Sequence, residues 1–427
     1  MIKTLLQNSK RIAILAFCAF LAMQMFAKWE QVLDFKFTQA VFVTEKGTLL
    51  TSNYDLDFLG GIKYSTDQGN TWEDAIVDDY CFSFFTESDG VIYATGMCAM
   101  IAKSTDDGRT WKCLDYSDAA APYAPKGKTI NCASYGVTVL GNRVYITDTM
   151  AGVLYTEDEG NTWKVTDRKS ITYKDDSGEY IEYFYNLNVI NGELYGFGLY
   201  NVFKYDEEAD KWQFVRSSNA LAVNTYYKDK LVCGRSIQND TENTDFLLYT
   251  EDGTEWLPVK RPKNFIDNYV RAISSDDSML YVGVLTKGML YTSDFGENWS
   301  FCQDGLPTTT WGYETLLMLA NDDKYVYAAI FIDSERTNKS GVYRVAKSEL
   351  ASGVGAIQAD NEATVTFSDN VLTINGDFCQ ASIVDVAGKT VKTITASATD
   401  LSHLSNGLYI CILNDANGKS QSIKFVK

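Results

Sequence analysis

Ser65-Thr66-Asp67-Gln68-Gly69-Asn70-Thr71-Trp72 decides how this chain is read, because it comes back. It recurs as Ser104-Thr105-Asp106-Asp107-Gly108-Arg109-Thr110-Trp111, as Thr156-Glu157-Asp158-Glu159-Gly160-Asn161-Thr162-Trp163, and as Thr292-Ser293-Asp294-Phe295-Gly296-Glu297-Asn298-Trp299. Two further copies are degenerate. Thr250-Glu251-Asp252-Gly253-Thr254-Glu255-Trp256 is one residue shorter between Asp and Trp, and Tyr205-Asp206-Glu207-Glu208-Ala209-Asp210-Lys211-Trp212 keeps little besides its Trp. From Trp72 the tryptophans follow at steps of 39, 52, 49, 44 and 43 residues. A unit that returns at tens of residues marks a repeat architecture.

Each copy lies between two strand-like runs. Gly61-Ile62-Lys63-Tyr64 precedes the first, and Trp163-Lys164-Val165-Thr166 follows the third. The pattern predicts a β-hairpin whose turn is the repeat. Gly takes φ > 0 without steric cost. The Asp carboxylate and the Ser/Thr hydroxyl accept hydrogen bonds from turn amides, and the Trp lays an apolar plate on the neighbouring sheet. By this chemistry Ser65, Asp67, Gly69, Trp72, Ser104, Asp106, Gly108, Trp111, Asp158, Gly160, Trp163, Asp252, Trp256, Asp294, Gly296 and Trp299 are structural residues.

The pattern Ser/Thr-x-Asp-x-Gly-x-Thr/Asn-Trp resembles the Asp-box, or BNR, repeat of sialidases and sortilin-like β-propellers. The resemblance implies an all-β ring of four-stranded blades. A step back of 43 residues from Trp72 lands on Trp29, in a post-box strand with no box before it. A similar step forward from Trp299 reaches Gly341-Val342-Tyr343-Arg344-Val345, a pre-box strand with nothing after it. The expectation is a seven-bladed β-propeller over residues 28–347 whose first strand completes the last blade and leaves no open sheet edge.

Residues 1–27 read as a signal peptide. Lys3, Lys10 and Arg11 form its basic end, Ile12 to Phe26 its apolar run, and Ala27 its cleavage position. The run is shorter than the roughly 20 apolar residues of a spanning helix, and no other stretch is long and apolar enough to cross a bilayer. The formal net charge of -18 repels phosphate backbones, which argues against nucleic acid as a partner. His403 is the one histidine, so neither a His-based triad nor a multi-His zinc site can be assembled. The acidic stretches Asp175 to Glu179 and Asn239 to Asp245 lack an EF-hand pattern. No metal and no cofactor is expected.

Eight cysteines follow the leader, and an even count in an exported chain permits disulfides without assigning them. Cys81 and Cys98 flank a predicted hairpin, and Cys379 and Cys411 open and close the core strands of the C-terminal region; both pairings are candidates.

After a linker-like stretch at residues 348–362, short alternating runs without Trp fill residues 363–427 and predict a small β-sandwich. Ile383-Val384-Asp385-Val386-Ala387-Gly388-Lys389-Thr390-Val391, Leu401-Ser402-His403-Leu404-Ser405-Asn406-Gly407-Leu408-Tyr409-Ile410 and the terminal Ile423-Lys424-Phe425-Val426-Lys427 resemble the type IX (Por) secretion sorting domain of Bacteroidetes. The resemblance implies Sec export, recognition by the type IX secretion machinery, and release or attachment at the outer-membrane surface.

In such a propeller a site is expected on the face away from the boxes, around the central axis. The loops assigned there carry Tyr183, Tyr185, Arg235, Trp311, Tyr313, Glu314 and Arg336, and Arg271 is a further candidate. Aromatic plates with carboxylates and Arg suit sugar faces or peptide side chains. Two functions fit. One is a surface propeller that binds a glycan or protein without catalysis. The other is a glycoside hydrolase, sialidase-like or xyloglucanase-like. Sialidases carry an Arg-Ile-Pro motif that the mature chain lacks. A hydrolase needs two carboxylates about 5 to 9.5 Å apart across the pocket, which sequence does not display.

Overall fold

The computed structural model describes residues 27–427 except 55–59, 78–81, 97–98, 125–135, 176–177, 218–220, 222, 235–245, 263–269, 285–287, 308–314, 332–338, 353–363, 369, 376–379, 386–388, 406 and 415–419. The expected signal peptide, Cys81, Cys98, Cys379, Arg235, Trp311, Tyr313, Glu314 and Arg336 therefore lie outside or almost wholly outside the described residues. The chain divides into two compact units, with Val354–Lys427 forming the bulk of the smaller.

The larger unit is nearly all-β. Among its described residues are seven four-stranded antiparallel sheets. The first runs Thr38–Val43, Leu49–Tyr54, Gly60–Ser65 and Glu73–Asp74, each strand pairing with the next. The same order repeats in sheets that begin at Phe82–Ser88, Val137–Leu140, Phe184–Ile190, Val223–Tyr227 and Val270–Ser275. The seventh holds Thr315–Asn321, Tyr325–Phe331 and Gly341–Ala346, and its fourth strand is the N-terminal Glu30–Asp34, antiparallel to Gly341–Ala346. The opening strand thus completes the last sheet, as the Trp spacing predicts.

Burial follows strand position. Second strands such as Leu280–Val284 are buried at every residue because sheets pack on both faces, and their sequence is a continuous apolar run rather than an alternation. Fourth strands such as Glu73–Asp74 are exposed and polar. Successive sheets share cores: Leu50 and Ile62 meet Ile92 and Trp111, and Tyr145 and Val153 meet Leu187 and Trp212. The seventh sheet packs on the first through Tyr327 and Val342 against Val41 and Leu49.

The repeated turn joins third and fourth strands and keeps one geometry. In the first copy Gly69 N–H donates to Ser65 Oγ at 2.8 Å, Ser65 Oγ donates to Asp67 Oδ1 at 2.8 Å, and Thr71 donates to Asp67 from N–H (2.8 Å) and Oγ1 (2.7 Å). Trp72 Nε1 donates to the Gly69 carbonyl at 3.1 Å. The second and third copies reproduce the Ser/Thr and Asp bonds through Asp106 and Asp158, and Asp294 accepts from Thr292 at 2.8 Å. Trp111 Nε1 repeats the bond to the Gly108 carbonyl at 2.8 Å, whereas Trp163 Nε1 is buried without a partner among the described residues. Two successive residues take φ > 0, as in Gln68 (63°) and Gly69 (90°). The short copy loses the first of these; Gly253 (78°) alone is left-handed, and Asp252 accepts from the N–H groups of Thr254 (2.8 Å) and Glu255 (3.0 Å). In the full copies Trp72, Trp111 and Trp163 end the turn, and the fourth strand opens one residue later.

Two stretches differ from expectation. Tyr183 and Tyr185, expected on a loop, follow a two-stranded ribbon, Thr172–Asp175 with Gly178–Ile181, and Tyr185 lies in the strand Phe184–Ile190. The expected linker begins with a helical turn, Lys347–Ser352, and its Leu350 is buried in the core of the last sheets. Apolar Leu350 inside a polar stretch was too slight a signal to separate a packed turn from a linker.

The smaller unit holds a three-stranded sheet (Thr364–Ser368, Val371–Asn375, Ala398–Asp400) and a four-stranded sheet ordered Thr390–Ile394, Gln380–Asp385, Leu408–Asn414, Ser420–Val426. They share a core of Leu372, Ile374, Ile383, Leu401 and Leu413. Cys411 carries a free thiol buried in that core, and burial pushes it up to about 11. The candidate partner Cys379 lies outside the described residues.

Candidate functional site

A cavity of about 560 Å³ lies among the first strands of the sheets. Each contributing segment is the first strand of its sheet. Thr38–Val43, Phe82–Ser88, Phe184–Ile190, Val223–Tyr227, Val270–Ser275 and Thr315–Asn321 all contribute to its wall. Its polar lining includes Gln39, Tyr185, Asn186, Asn224, Thr225 and Arg271. Phe84, Met318 and Leu319 supply apolar wall. Neither Asp nor Glu is among the described lining residues.

Of the residues singled out by sequence, Tyr185 and Arg271 line this cavity. Tyr183 meets it through Tyr185: the hydroxyls are 3.1 Å apart and the rings stand edge to face with centroids 5.2 Å apart. Other arginines are held elsewhere. Arg143 pairs with Glu157 (2.7 Å) and Glu207 (2.8 Å), and Arg344 with Glu30 (2.6 Å). Asn224 Nδ2 is buried with no hydrogen-bond partner among the described residues, a donor left for a ligand or water in a polar cavity.

The sequence reading missed Gln39, Asn186 and Asn224. Their signal was a polar residue inside an inner strand that is otherwise apolar, as in Thr38-Gln39-Ala40-Val41. It also missed Glu182, which is 1% exposed. Glu182 accepts from Tyr200 N–H (3.2 Å) and Asn201 Nδ2 (2.8 Å), so it fastens the turn between the second and third strands of the fourth sheet. Burial raises its carboxyl above the ordinary value, against those hydrogen bonds.

A separate pocket that shares Phe42, Val43 and Asn321 with this cavity is lined by Glu45, Asp322 and Asp323, on turns that follow first strands, and by Glu87, near the end of Phe82–Ser88. Among the described residues no three His, Cys, Asp or Glu side chains are grouped to hold a metal ion. Asp276 is ion-paired with Lys347, which also donates to Asn321 at 2.7 Å. Burial raises the Asp276 carboxyl, but the bonds from Lys347, Ser278 and Met279 outweigh it and hold the group at about 2.

Residues 359–427 match the secretion system C-terminal sorting domain. That domain directs a chain through type IX secretion to the cell surface or the medium, and it makes this chain a type IX substrate. Among the described residues no helix is long and apolar enough to cross a membrane. No curated protein sequence matches the chain. Among solved structures, the extracellular domain of the putative hybrid two-component system BT3049 from B. thetaiotaomicron is similar with a TM-score of 0.51 and 10% identity, over 93% of this chain and 54% of that one. YCF48 bound to D1 peptide gives a TM-score of 0.51 and 14% identity over 75% of this chain and 97% of that one. PorZ, a surface component of the type IX secretion system of Porphyromonas gingivalis, is 14% identical over 89% of this chain, with a TM-score of 0.42; the chain spans 64% of its length. The likeness to the first two is one of fold: a propeller-like arrangement of four-stranded sheets.

Proposed function

We propose that residues 28–347 form a closed seven-bladed Asp-box propeller of the sialidase and sortilin-like kind, joined through residues 348–362 to the sorting domain at 363–427. Displayed at the cell surface, the propeller binds a glycan or protein ligand in its axial cavity and does not transform it. The observation that carries this reading is the described cavity wall: amides, hydroxyls, Tyr185 and Arg271 among apolar side chains, with no pair of carboxylates. Such a wall orients a ligand by hydrogen bonds over an apolar surface. Glycoside hydrolysis instead needs two facing carboxyl groups.

The test is a glycan array on the purified protein, with an assay for released sugar on every hit and a parallel screen for protein partners. Binding without release supports the proposal. Release of a sugar makes the chain a hydrolase, with carboxylates supplied from outside the described wall. Absence of both glycan and protein binding overturns the reading.

A further inference from the structure

The first residues after the expected leader are pinned. Trp29 is 2% exposed, its N–H donates to the Asp304 carbonyl at 2.8 Å, and its Nε1 donates to the Cys302 carbonyl at 3.2 Å. Gly305 approaches so closely that any Cβ there would strike the Trp29 carbonyl oxygen. One residue earlier, the Lys28 N–H donates to Glu349 Oε2 at 3.3 Å, across 321 positions of sequence. Glu349 stands on the helical turn Lys347–Ser352, where the chain leaves the larger unit. That turn belongs to the same core. Its Leu350 packs in one cluster with Trp29, Cys302 and Leu306, and the Leu350 carbonyl accepts from Tyr291 Oη at 3.1 Å. The entry and the exit of the larger unit thus meet through Lys28 and Glu349.

We infer that Glu349 is the receptor for the α-ammonium group of the processed chain. The inference takes residues 1–27 as a leader cut after Ala27, as their sequence implies. Hydrolysis of the Ala27–Lys28 bond consumes one water, leaves a carboxylate on Ala27 and gives Lys28 an α-ammonium. A neutral N–H facing Glu349 becomes a cation in the same place, because the bonds of Trp29 hold the next residue whatever precedes it. The hydrogen bond becomes an ion pair, and charge on both partners strengthens it. Lys28 is exposed, so the gain is modest. Around the pair stand the Lys28 side chain, Asp304 on the loop that holds Trp29, and Lys347, which is ion-paired with Asp276. Removal of the leader therefore does more than free the chain. It ties the strand that completes the last sheet to the turn that precedes the sorting domain.

The experiment uses the chain exported by its native host, and mass spectrometry reads its first residue. A chain that begins anywhere but Lys28 overturns the inference through the leader reading on which it rests. Ionisation of the α-amine is then followed by its reactivity toward an acylating reagent between about pH 6 and pH 9, where lysine side chains stay protonated. The expected midpoint lies above the ordinary value of about 7.7–8.0 for an α-amine, and it returns to that value in Glu349→Gln. Hydrogen exchange supplies the second reading. Backbone amides of Lys347–Ser352 should exchange about two- to fivefold faster in Glu349→Gln, the span of an exposed ion pair. Acetylating the α-amine alone restores a neutral N–H and should give the same increase, with no further increase when it is added to Glu349→Gln. An ordinary midpoint in the native chain, or a raised one that Glu349→Gln leaves in place, overturns the site. Exchange that ignores both changes overturns the tie to the turn.

Discussion

Asp158 and Asp252 show what the repeated carboxylate does. Asp158 accepts from the hydroxyl and amide of Thr162, at 2.6 and 2.8 Å, and from Thr156 Oγ1 at 2.8 Å. These bonds hold its carboxyl at about 2. The amides of Glu255 and Thr254 do the same for Asp252, also at about 2. The sign follows from linkage: a carboxyl lower in the folded state than unfolded contributes stability above its unfolded value, lost as pH falls through its folded value. Melting temperature should therefore fall between about pH 4 and pH 2 in the native chain. In Asp158→Asn/Asp252→Asn the slope in that window should be shallower, which a pH series of thermal melts reads directly. Asp106 is less exposed and accepts from Thr110 twice, at 2.9 and 2.7 Å. Asp106→Ala should cost about 1 kcal/mol or more in urea unfolding, through lost turn hydrogen bonds, and should leave ligand affinity unchanged. These roles were legible in sequence because a turn's chemistry is local: four residues fix which amides face which oxygens.

At the scale of the element, the box is also an adhesive between sheets. Its residue before Gly carries a contact to the preceding sheet in each full copy. Gln68 O accepts from Arg344 Nη1 at 2.6 Å, Glu159 pairs with Lys103 at 3.3 Å, and Phe295 packs on Tyr227 with centroids 4.8 Å apart. In the second copy Asp107, 7% exposed, accepts from Thr44 Oγ1 at 2.7 Å and Thr48 Oγ1 at 2.5 Å, on the inner hairpin of the first sheet. Asp107→Ala leaves two buried hydroxyls without their acceptor and should cost about 1–3 kcal/mol, measured by urea unfolding. The following Gly has a packing reason as well as a positive φ: a Cβ on Gly160 would lie 2.6 Å from Leu114 Cδ1 in the preceding sheet. Sequence alone hid these contacts, because Gln, Asp, Glu and Phe share no chemistry that marks the position. The closing strand was legible, since the Trp steps reach Trp29. That side chain is 2% exposed, and its Nε1 donates to the Cys302 carbonyl at 3.2 Å. Trp29→Ala should lose about 3–5 kcal/mol, and the loss should appear in the larger unit alone when its unfolding is followed by tryptophan fluorescence.

Over the whole molecule, what was legible and what was not divides along one physical line. Repeat spacing fixed the strand order, and the terminal motifs fixed the destination, because both are written in contiguous residues. The cavity is assembled from a few residues on each of six first strands far apart in sequence, so its amides were missed while the conspicuous Tyr185 and Arg271 were found. The sorting domain is one contiguous stretch, residues 359–427, and has its own core. Its last residue is part of the construction. Lys427 pairs with Gly407 through both backbone groups, at 3.0 and 3.1 Å, and its Nζ donates to the carbonyls of Leu401 and Ser402 at 2.7 Å. The chain end thus holds the turn that carries the second of the three sorting segments. Removing residues 359–427 should keep the protein off the cell surface and out of the medium in its native host. Removing only 420–427 should do nearly as much, since it strips the strand beside Leu408–Asn414 and releases that turn. Surface immunolabelling and fractionation check both, with protease resistance of the larger unit showing that it still folds. If the shorter truncation reaches the surface at the native level, the three segments are read as a linear tag and the sandwich that arranges them has no part in recognition.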